Sequence, residues 1–327
     1  MNIPFKFNTI ESNQFINTLV RLHYSGSAPR CICLIRQLWA FMRNAKVFLL
    51  GIGAQKAGTT WLEAQLSKEL FFSNDQIKEY HVFNKLSYCS PNKSMQMMKK
   101  RFNKNKRRPS KMCVIQKIEA MRLMPQIYFD HFDYIYCRNQ NISHVGDITP
   151  AYALLPKNIF HYIKQGLEAK GFKVKVVFLM RDPVERAWSQ LRMKNRLNHE
   201  RKGAPKISPR TEFKQLKEFY KKKSCISRTL YQETCSTIEK VFSLEDIYYG
   251  FYESFFNQQE INRLTHFLEA PNITPDLGQF IHTSPKPQTP IKGMDLLKKE
   301  IRMFFDPTYR WANDRFPESI PNEWTQV

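Results

Sequence analysis

The sequence predicts an α/β fold of three layers, with a central parallel sheet and helices on both faces. Two mainly apolar runs, residues 47–50 and 174–180, have the length and composition of buried strands. Each run is followed by helix-starting residues, Thr59 after the first and Pro183 after the second. Strands that alternate with helices pair in parallel, and ligands bind at the carboxyl ends of such strands.

Residues 1–45 are predicted to be an N-terminal extension, and residues 46–327 the main domain. Residues 1–30 are polar and show no period, whereas residues 31–45 are predicted to form a short helix. The apolar part of that helix, residues 31–42, contains Arg36 and is too short to span a membrane. We therefore expect a cytoplasmic protein of bacterial type, and we leave open a peripheral membrane contact through residues 31–42.

Along the main domain, Leu62, Leu66 and Leu70 have helical spacing after the first strand. Residues 76–83 are predicted to be the end of a strand that runs into a loop, and residues 144–150 a short strand before a Thr-Pro turn. The remaining predicted elements are helices at 113–137, 157–169, 184–197, 213–222, 228–242, 258–268 and 294–305, a strand at 246–252, loops at 198–213 and 271–293, and a tail from residue 311.

Basic residues outnumber acidic ones, 51 Lys and Arg against 29 Asp and Glu, for a net charge of +22. Such a protein attracts anions, which include nucleic acid, acidic lipid, acidic small molecules and glycans. The strongly basic stretch at 91–111 is interpreted either as a solvated face or as a patch for an acidic substrate. The seven cysteines are scattered without metal-ligand spacing, so reduced structural thiols are expected and no metal site is predicted. One disulfide, such as Cys225–Cys235, is left open as the alternative.

The turn after the first strand has the features of a P-loop-like anion cradle. Gly53 and Gly58 give it the G-x-x-x-x-G frame, and the helix that follows offers unpaired N–H groups at its positive end. Lys56 adds a charge, and Thr59 and Thr60 add hydroxyl donors. A nucleotide-binding P-loop has lysine directly after the second glycine, where this chain has Thr59. The alternative is an ordinary strand-to-helix turn with a solvated lysine.

A second anion-binding element is predicted at residues 181–189, RDPVERAWS. Arg181 leaves the end of a strand, and Ser189 lies two turns into the next helix. An arginine fork with a hydroxyl is suited to a second phosphate group. The alternative is that Arg181 and Asp182 form an ion pair that caps the helix.

Together these two stretches resemble the sulfotransferases that use 3′-phosphoadenosine 5′-phosphosulfate (PAPS). Residues 56–61, KAGTTW, resemble the K-x-G-T-T-W type loop of that family, and residues 181–189 its R-D-P-x-x-R-x-x-S type segment. The resemblance covers roughly residues 46–312, with gaps in the loops. It implies an enzyme that moves a sulfuryl group from PAPS to an acceptor hydroxyl or amine without a metal.

Two further stretches resemble segments of the heparan-type, glycan-modifying branch of these sulfotransferases. Residues 78–83, KEYHVF, resemble its K-E-x-H-F-F segment, and residues 146–152, GDITPAY, its E-K-[ST]-P-x-Y segment. In the second segment Asp147 replaces glutamate, and Ile148 stands where lysine is usual. The resemblance implies a carbohydrate acceptor. From the family's late K-G-R loop only Lys286 is carried over.

The resemblance also implies roles for individual residues. Glu79 takes the place of the catalytic base, His81 assists it, and Lys56 stabilises the leaving phosphate oxygen. Trp61 is expected to stack on adenine, and Arg181 with Ser189 to bind the 3′-phosphate. The full set implied for PAPS is Lys56, Ala57, Gly58, Thr59, Thr60, Trp61, Arg181, Ser189 and Lys286.

Three other functions are weighed against this one. A P-loop nucleotide kinase requires a lysine after Gly58, which is absent. A nucleic-acid-binding protein that uses residues 99–111 leaves the cradle and residues 181–189 unexplained, so nucleic acid is not an expected partner. A relative that binds sulfated glycans without catalysis stays open, because Ile148 replaces the family's lysine.

Overall fold

The computed structural model describes residues 46–88, 109–278 and 291–325. The N-terminal extension, the basic stretch up to residue 108 and Lys286 lie outside these residues. The predicted division of the chain at residues 45 and 46 therefore stays a prediction.

Five parallel strands form a single sheet in the order β2-β3-β1-β4-β5. This all-parallel sheet with helices around it confirms the predicted α/β fold. The strands are β1 (Lys46–Gly53), β2 (Phe72–Ser73), β3 (His144–Ile148), β4 (Phe172–Met180) and β5 (Ile247–Phe251).

Strand β1 lies at the centre of the sheet, between β3 and β4. Leu50 is level with Asp147 in β3 and with Val176 in β4. All of β1 beyond Lys46 is buried, which explains its nearly continuous apolar sequence. Because the three central strands are parallel, the segments that follow them meet at one edge of the sheet.

Thirteen helices, α1 to α13, occur in the described parts of the chain. None of these described helices is both long enough and apolar enough to cross a membrane. Short 3₁₀ segments cover Phe83–Tyr88, Pro150–Leu154 and Leu244–Asp246. In chain order the helices are Thr59–Leu66, Pro109–Leu123, Gln126–Arg138, Lys157–Glu168, Pro183–Lys202, Pro209–Phe219, Lys223–Ile226, Tyr231–Ile238, Tyr252–Phe255, Gln258–Phe267, Met294–Phe304, Asp306–Arg315 and Asn322–Thr325.

The strand predicted at 76–83 is wrong, because the strand in this region is β2, at Phe72–Ser73. Asp75, Gln76 and His81 have φ values of 52°, 59° and 53°. Non-glycine residues with these left-handed values interrupt an extended strand. Glu79 therefore lies in an irregular loop and not directly after a strand.

Several predicted helix bounds also differ from the structure. Helix α1 ends at Leu66, so Leu70 is 81% exposed instead of packed. The predicted helix at 113–137 is two helices, since Pro125 removes a backbone donor between α2 and α3. Helix α5 runs on to Lys202, which shortens the predicted loop at 198–213. The predicted tail from residue 311 contains the end of α12 and all of α13.

Candidate active site

A cavity of about 900 Å³ is lined by the segments that follow β1, β4 and β5 and by the loop around Glu79. Of the residues predicted for the site, Ala57 lies in the core, fully buried, and Lys286 lies outside the described residues. The others all line this one cavity: Lys56, Gly58, Thr59, Thr60, Trp61, Glu79, His81, Arg181 and Ser189.

The cradle is formed where β1 passes into α1. Gly58 occupies the N-cap of α1 with a φ of 88°, a left-handed value that glycine adopts without strain. A Cβ at this position would lie 3.2 Å from Phe256 Cζ and 3.3 Å from Tyr252 Cδ2. The Trp61 N–H donates to the Gly58 carbonyl oxygen at 2.9 Å and so closes the first turn of α1. The two N–H groups before it precede this first intrahelical bond and are backbone donors for an anion in the cavity.

Lys56 lies in the cradle among other cations. Burial, followed by the charges of Arg196, Arg181 and Lys78, lowers the pKa of Lys56 to about 8. A group of positive charges that destabilise one another in this way favours a bound anion.

Arg181 bridges the cradle and the start of α5. Its Nη1 donates to the Lys56 carbonyl oxygen at 3.1 Å, and its guanidinium carbon lies 4.1 Å from the centre of the Tyr252 ring. Its Nε is buried and has no hydrogen-bond partner within the described part of the chain. An anion in the cavity would satisfy this donor.

The alternative of an ion pair between Arg181 and Asp182 is wrong. Asp182 caps α5 by itself, since its Oδ1 accepts from the Glu185 backbone N–H at 2.9 Å. Its Oδ2 accepts from the Tyr309 hydroxyl at 2.6 Å. Both carboxylate oxygens of Asp182 are thus used in hydrogen bonds within the fold. Arg181 does not pair with Asp182 and lines the cavity.

Glu79 and His81 form a pair at the cavity wall, with 2.8 Å between Glu79 Oε2 and His81 Nε2. Both side chains are about one-third exposed, so the pair is accessible to a ligand. His81 Nδ1 lies 3.3 Å from Asn84 Oδ1, which orients the ring from its other side. A carboxylate in this position can accept a proton from an acceptor substrate.

Asp147 lies beneath this loop and not in the cavity. Its carboxylate accepts hydrogen bonds from the hydroxyls of Thr149, Tyr152 and Tyr128 at 2.5, 2.9 and 3.0 Å. Burial raises the pKa of Asp147 to about 6. The position that resembles the family's glutamate is therefore a buried structural group in this chain.

The hydroxyls bound to Asp147 hold the loop that carries the Glu79–His81 pair. Thr149 Oγ1 accepts from the Tyr80 backbone N–H at 3.0 Å, and the Tyr152 hydroxyl accepts from the Val82 N–H at 3.1 Å. Asp147 thus fixes the backbone directly next to Glu79 through two intermediate hydroxyls.

Ile148 also belongs to the core, since it is only 3% exposed. A Cβ built on Gly51 would lie 2.9 Å from its side chain, so Ile148 fills the space beside β1. A lysine at this position would bring a charge into the interior unless it reached the cavity. The residue that departs from the family pattern is therefore an integral part of the packing.

Trp61 lines the cavity but is mostly packed in the core. It is 4% exposed and packs edge-on against Phe255 and Phe256, with ring centres 5.8 and 5.0 Å apart. Tyr252 and Phe256 line the cavity beside it and were missed. Their position directly after β5, at the carboxyl end of a parallel strand, is the signal that could have found them.

Sequence reasoning also missed four basic residues in the cavity lining. Arg192 and Arg196 follow Ser189 on α5, and their four-residue spacing is a readable signal. Lys78 and Arg201 complete the set. Across the described residues, no three His, Cys, Asp or Glu side chains are grouped so that they could hold a metal ion.

Comparison with solved structures gives a likeness at low sequence identity. The crystal structure of a sulfotransferase from Alicyclobacillus acidocaldarius is 16% identical, covers 86% of this chain and 100% of its own, and has a TM-score of 0.52. The sulfotransferase domain from the curacin biosynthetic pathway is 18% identical, with 72% and 77% of the two chains covered and a TM-score of 0.41. At such identities the first of these likenesses supports the fold alone.

The family of this chain is shown by its sequence and not by these structural likenesses. No curated protein matches this chain. The family model described as the sulfotransferase domain, however, matches residues 46–284, which is more than half of the chain. This match contains the cradle, the Glu79 loop and the Arg181–Ser189 segment, and it shows that the chain belongs to the sulfotransferase family.

Proposed function

We propose that this sulfotransferase uses PAPS as its donor and sulfates a hydroxyl or amine of a carbohydrate. One observation supports this most strongly: the Lys56 cradle and Arg181 face the same cavity, and the Glu79–His81 pair lies on its wall. Two separate anion-binding elements suit a nucleotide that carries phosphate at two positions, and a proton acceptor beside them suits transfer to a hydroxyl or amine.

The residues present fit PAPS. In the proposal, Lys56, Thr59 and Thr60 bind the 5′-phosphate together with the backbone at the start of α1. Arg181 and Ser189 bind the 3′-phosphate, which would satisfy the unpaired Arg181 Nε. The rings of Tyr252 and Phe256, which line the cavity next to Gly58, offer apolar surface for the adenine.

PAPS supplies an activated sulfuryl group. In the proposal, Lys56 stabilises the negative charge that develops on the leaving phosphate oxygen during transfer. Glu79 takes the proton from the acceptor, and its 2.8 Å contact with His81 fixes the carboxylate in position. The role of the protein in this reaction is thus to position the two phosphate groups of the donor and the acceptor, and to remove one proton from the acceptor.

We infer a carbohydrate acceptor from two features of the sequence. Residues 78–83 resemble a segment of the glycan-modifying branch, and basic residues outnumber acidic ones. Lys78, Glu79 and His81 of this segment all line the cavity. We therefore infer that the acceptor binds in the part of the cavity between this segment and α5.

The donor is tested by thermal stabilisation with 3′-phosphoadenosine 5′-phosphate (PAP), compared with ATP–Mg²⁺ and with AMP. A ligand that binds only the native state, at about 100 times its Kd, stabilises by about 2.7 kcal/mol. We expect PAP to raise the melting temperature most, and Lys56→Ala and Arg181→Ala each to reduce that shift. Stronger stabilisation by ATP–Mg²⁺ would favour a nucleotide kinase and would overturn the proposal.

The base is tested with Glu79→Gln, which keeps the shape of the side chain and removes its proton affinity. We expect PAP to stabilise this variant as it stabilises the native protein, because Glu79 is not among the residues assigned to the phosphates. Sulfuryl transfer should fall about 100-fold or more. If transfer survives the substitution, Glu79 is not the base.

A further inference from the structure

Helices α6 and α11 lie side by side and run in the same direction. At their amino ends, a Cβ built on Gly293 would lie 3.6 Å from Phe213 Cζ. At their carboxyl ends, the Tyr220 hydroxyl donates to Glu300 Oε1 at 2.5 Å, and the centres of the Tyr220 and Phe304 rings are 5.1 Å apart. The outer sides of the two helices therefore form one continuous surface, which we call the α6–α11 surface.

Helix α11 carries large apolar side chains on its outer side as well as on its inner side. The buried inner side consists of Met294, Leu297 and Ile301. On the outer side, Leu296 is 73% exposed, Met303 77% and Phe304 43%. Leu296 and Met303 lie on the same side of the helix, because each is three or four residues from Glu300. Single exposed apolar residues are ordinary, whereas a group of them on one helix indicates a contact surface.

Lysines surround these apolar side chains. Lys217 Nζ lies 4.9 Å from the centre of the Phe213 ring, which is next to the start of α11. Lys221 Nζ lies 3.6 Å from Glu300 Oε1 and 5.1 Å from the centre of the Tyr220 ring. The exposed lysines of the two helices and of the turn after α6 are Lys214, Lys217, Lys221, Lys222, Lys223 and Lys299. The apolar and the basic residues thus belong to one surface.

Acidic side chains do not balance these lysines. Glu212 of α6 accepts from Arg192 Nε on α5 at 2.8 Å, so it faces the neighbouring helix and not the surface. The other acidic residues of α6 and α11 are Glu218, Asp295 and Glu300. Glu300 is already engaged by Tyr220 and Lys221. The α6–α11 surface therefore keeps an excess of positive charge.

We propose that the α6–α11 surface binds to the surface of a membrane that contains anionic lipids. The lysines attract the negatively charged headgroups. Leu296, Met303 and Phe304 enter the boundary between the headgroups and the acyl chains, where apolar side chains are removed from water. This inference goes beyond the proposed function and depends on neither its donor nor its acceptor.

The mixture of lysines and large apolar side chains favours a membrane over two other occupants. A second copy of this chain would bring two positively charged surfaces together, which repel each other. Nucleic acid would satisfy the lysines through its phosphates but would leave the apolar side chains without a partner. A basic helix with an apolar side is typical of proteins that lie in the membrane interface.

The experiment measures binding of the full chain to lipid vesicles by co-sedimentation. One set of vesicles contains phosphatidylcholine alone, and the other contains phosphatidylserine as well. We expect binding to the phosphatidylserine vesicles to be at least about tenfold stronger at low salt, because each lysine near an anionic surface adds to the affinity. Added salt should reduce this difference, since it screens exposed charges.

Two variants test the basic and the apolar part of the surface separately. The double variant Lys222→Ala/Lys223→Ala should weaken binding to the anionic vesicles by about tenfold or more. Leu296→Ser should weaken it by about tenfold, because an apolar side chain no longer leaves water. The matched control is Leu70→Ser, the same change at a leucine that is 81% exposed and precedes the edge strand β2. This control should bind as the native protein does.

Three results would overturn the proposal. Equal binding to the two kinds of vesicle would show that anionic lipid is not recognised. Native binding in Leu296→Ser would show that the lysines bind polyanions such as nucleic acid without insertion of apolar side chains. An equal loss in Leu70→Ser and Leu296→Ser would show that the effect is not specific to this surface. Because the substituted positions are exposed, each variant should keep the native melting temperature.

Discussion

Lys56 is a lysine whose pKa, at about 8, lies close to neutral pH. Burial and the neighbouring cations lower that pKa to about 8, whereas an exposed lysine remains charged well above this pH. A bound phosphate favours the charged form and therefore raises the pKa again. Above about pH 8, PAP binding must be accompanied by proton uptake at Lys56.

We accordingly predict that PAP affinity falls by up to about tenfold between about pH 8 and pH 9. The reason is that each further pH unit above the pKa makes the protonated lysine ten times rarer. Calorimetry at both values measures this fall. Lys56→Arg is the control, because arginine stays charged at these pH values and should show a flat profile. A flat profile in the native protein would contradict the prediction.

Asp147 is a second residue whose environment sets a measurable pH dependence. Its pKa of about 6 lies above its ordinary value of 3.8, since burial penalises the carboxylate. A raised pKa means that the folded state holds this proton more tightly than the unfolded state. The contribution to stability is complete below about pH 4 and is lost as the pH rises through about 6.

In Asp147→Asn this titration is absent. We predict that the variant gains stability relative to the native protein between about pH 4 and pH 7, by up to about 3 kcal/mol. Urea unfolding of both proteins at the two pH values measures this difference in the free energy of unfolding. If that free energy changes equally with pH in the variant and the native protein, the prediction is contradicted. The introduced amide cannot accept all three hydroxyl hydrogen bonds, so kcat should also fall while PAP binding is retained.

At the scale of elements, the start of α1 depends on glycine at its N-cap. Gly58→Ala would place a Cβ against Phe256 and Tyr252 in a backbone conformation that alanine adopts only with strain. We predict a loss of about 1–2 kcal/mol in the free energy of unfolding and a weaker PAP shift, because the cradle must move. Gly171→Ala is the control, since its φ is 78° but nothing lies within 4 Å of an added Cβ. Gly171→Ala should lose stability with little change in PAP binding. If the two variants weaken PAP binding equally, the prediction is contradicted.

The strands and the loops of this chain differ in how well the sequence predicts them. Strands β1, β3, β4 and β5 were predicted because each is a buried or bounded apolar run. The two-residue strand β2 was not predicted, and the strand end was placed too late, within 76–83, because the left-handed residues Asp75, Gln76 and His81 carry no strong local signal. That loop is held in place by long-range hydrogen bonds in which its backbone N–H groups donate to the hydroxyls of Thr149 and Tyr152.

At the scale of the whole molecule, helix α13 packs behind the segments that follow β4 and β5. Trp324 is fully buried and packs against Phe251, Tyr231 and Tyr309 at ring-centre distances of 5.2, 6.0 and 5.7 Å. Its Nε1 donates to Glu253, whose other oxygen accepts from the N–H of the residue after Arg181. Helix α13 is thus connected to the start of α5 through Glu253.

We predict that Trp324→Ala lowers the free energy of unfolding by about 3–5 kcal/mol through loss of packing. Trp324→Phe keeps most of the packing but leaves the Glu253 oxygen unpaired, and should lose about 1–3 kcal/mol. Urea unfolding measures both. If the phenylalanine variant is as unstable as the alanine variant, the hydrogen bond and not the packing is the main contribution.

Local sequence patterns are enough to predict the layered α/β fold, the cradle and nine of the residues that line the cavity. These follow from local patterns: an apolar run, two glycines and a lysine before a helix, and an arginine at the end of a strand. Three-dimensional packing was needed to show that Asp147 and Ile148 belong to the core, that Arg181 is independent of Asp182, and that the charge of Arg196 acts on Lys56. Burial and charge at these positions are set by neighbours up to about 140 residues away along the chain, and no local pattern records such neighbours.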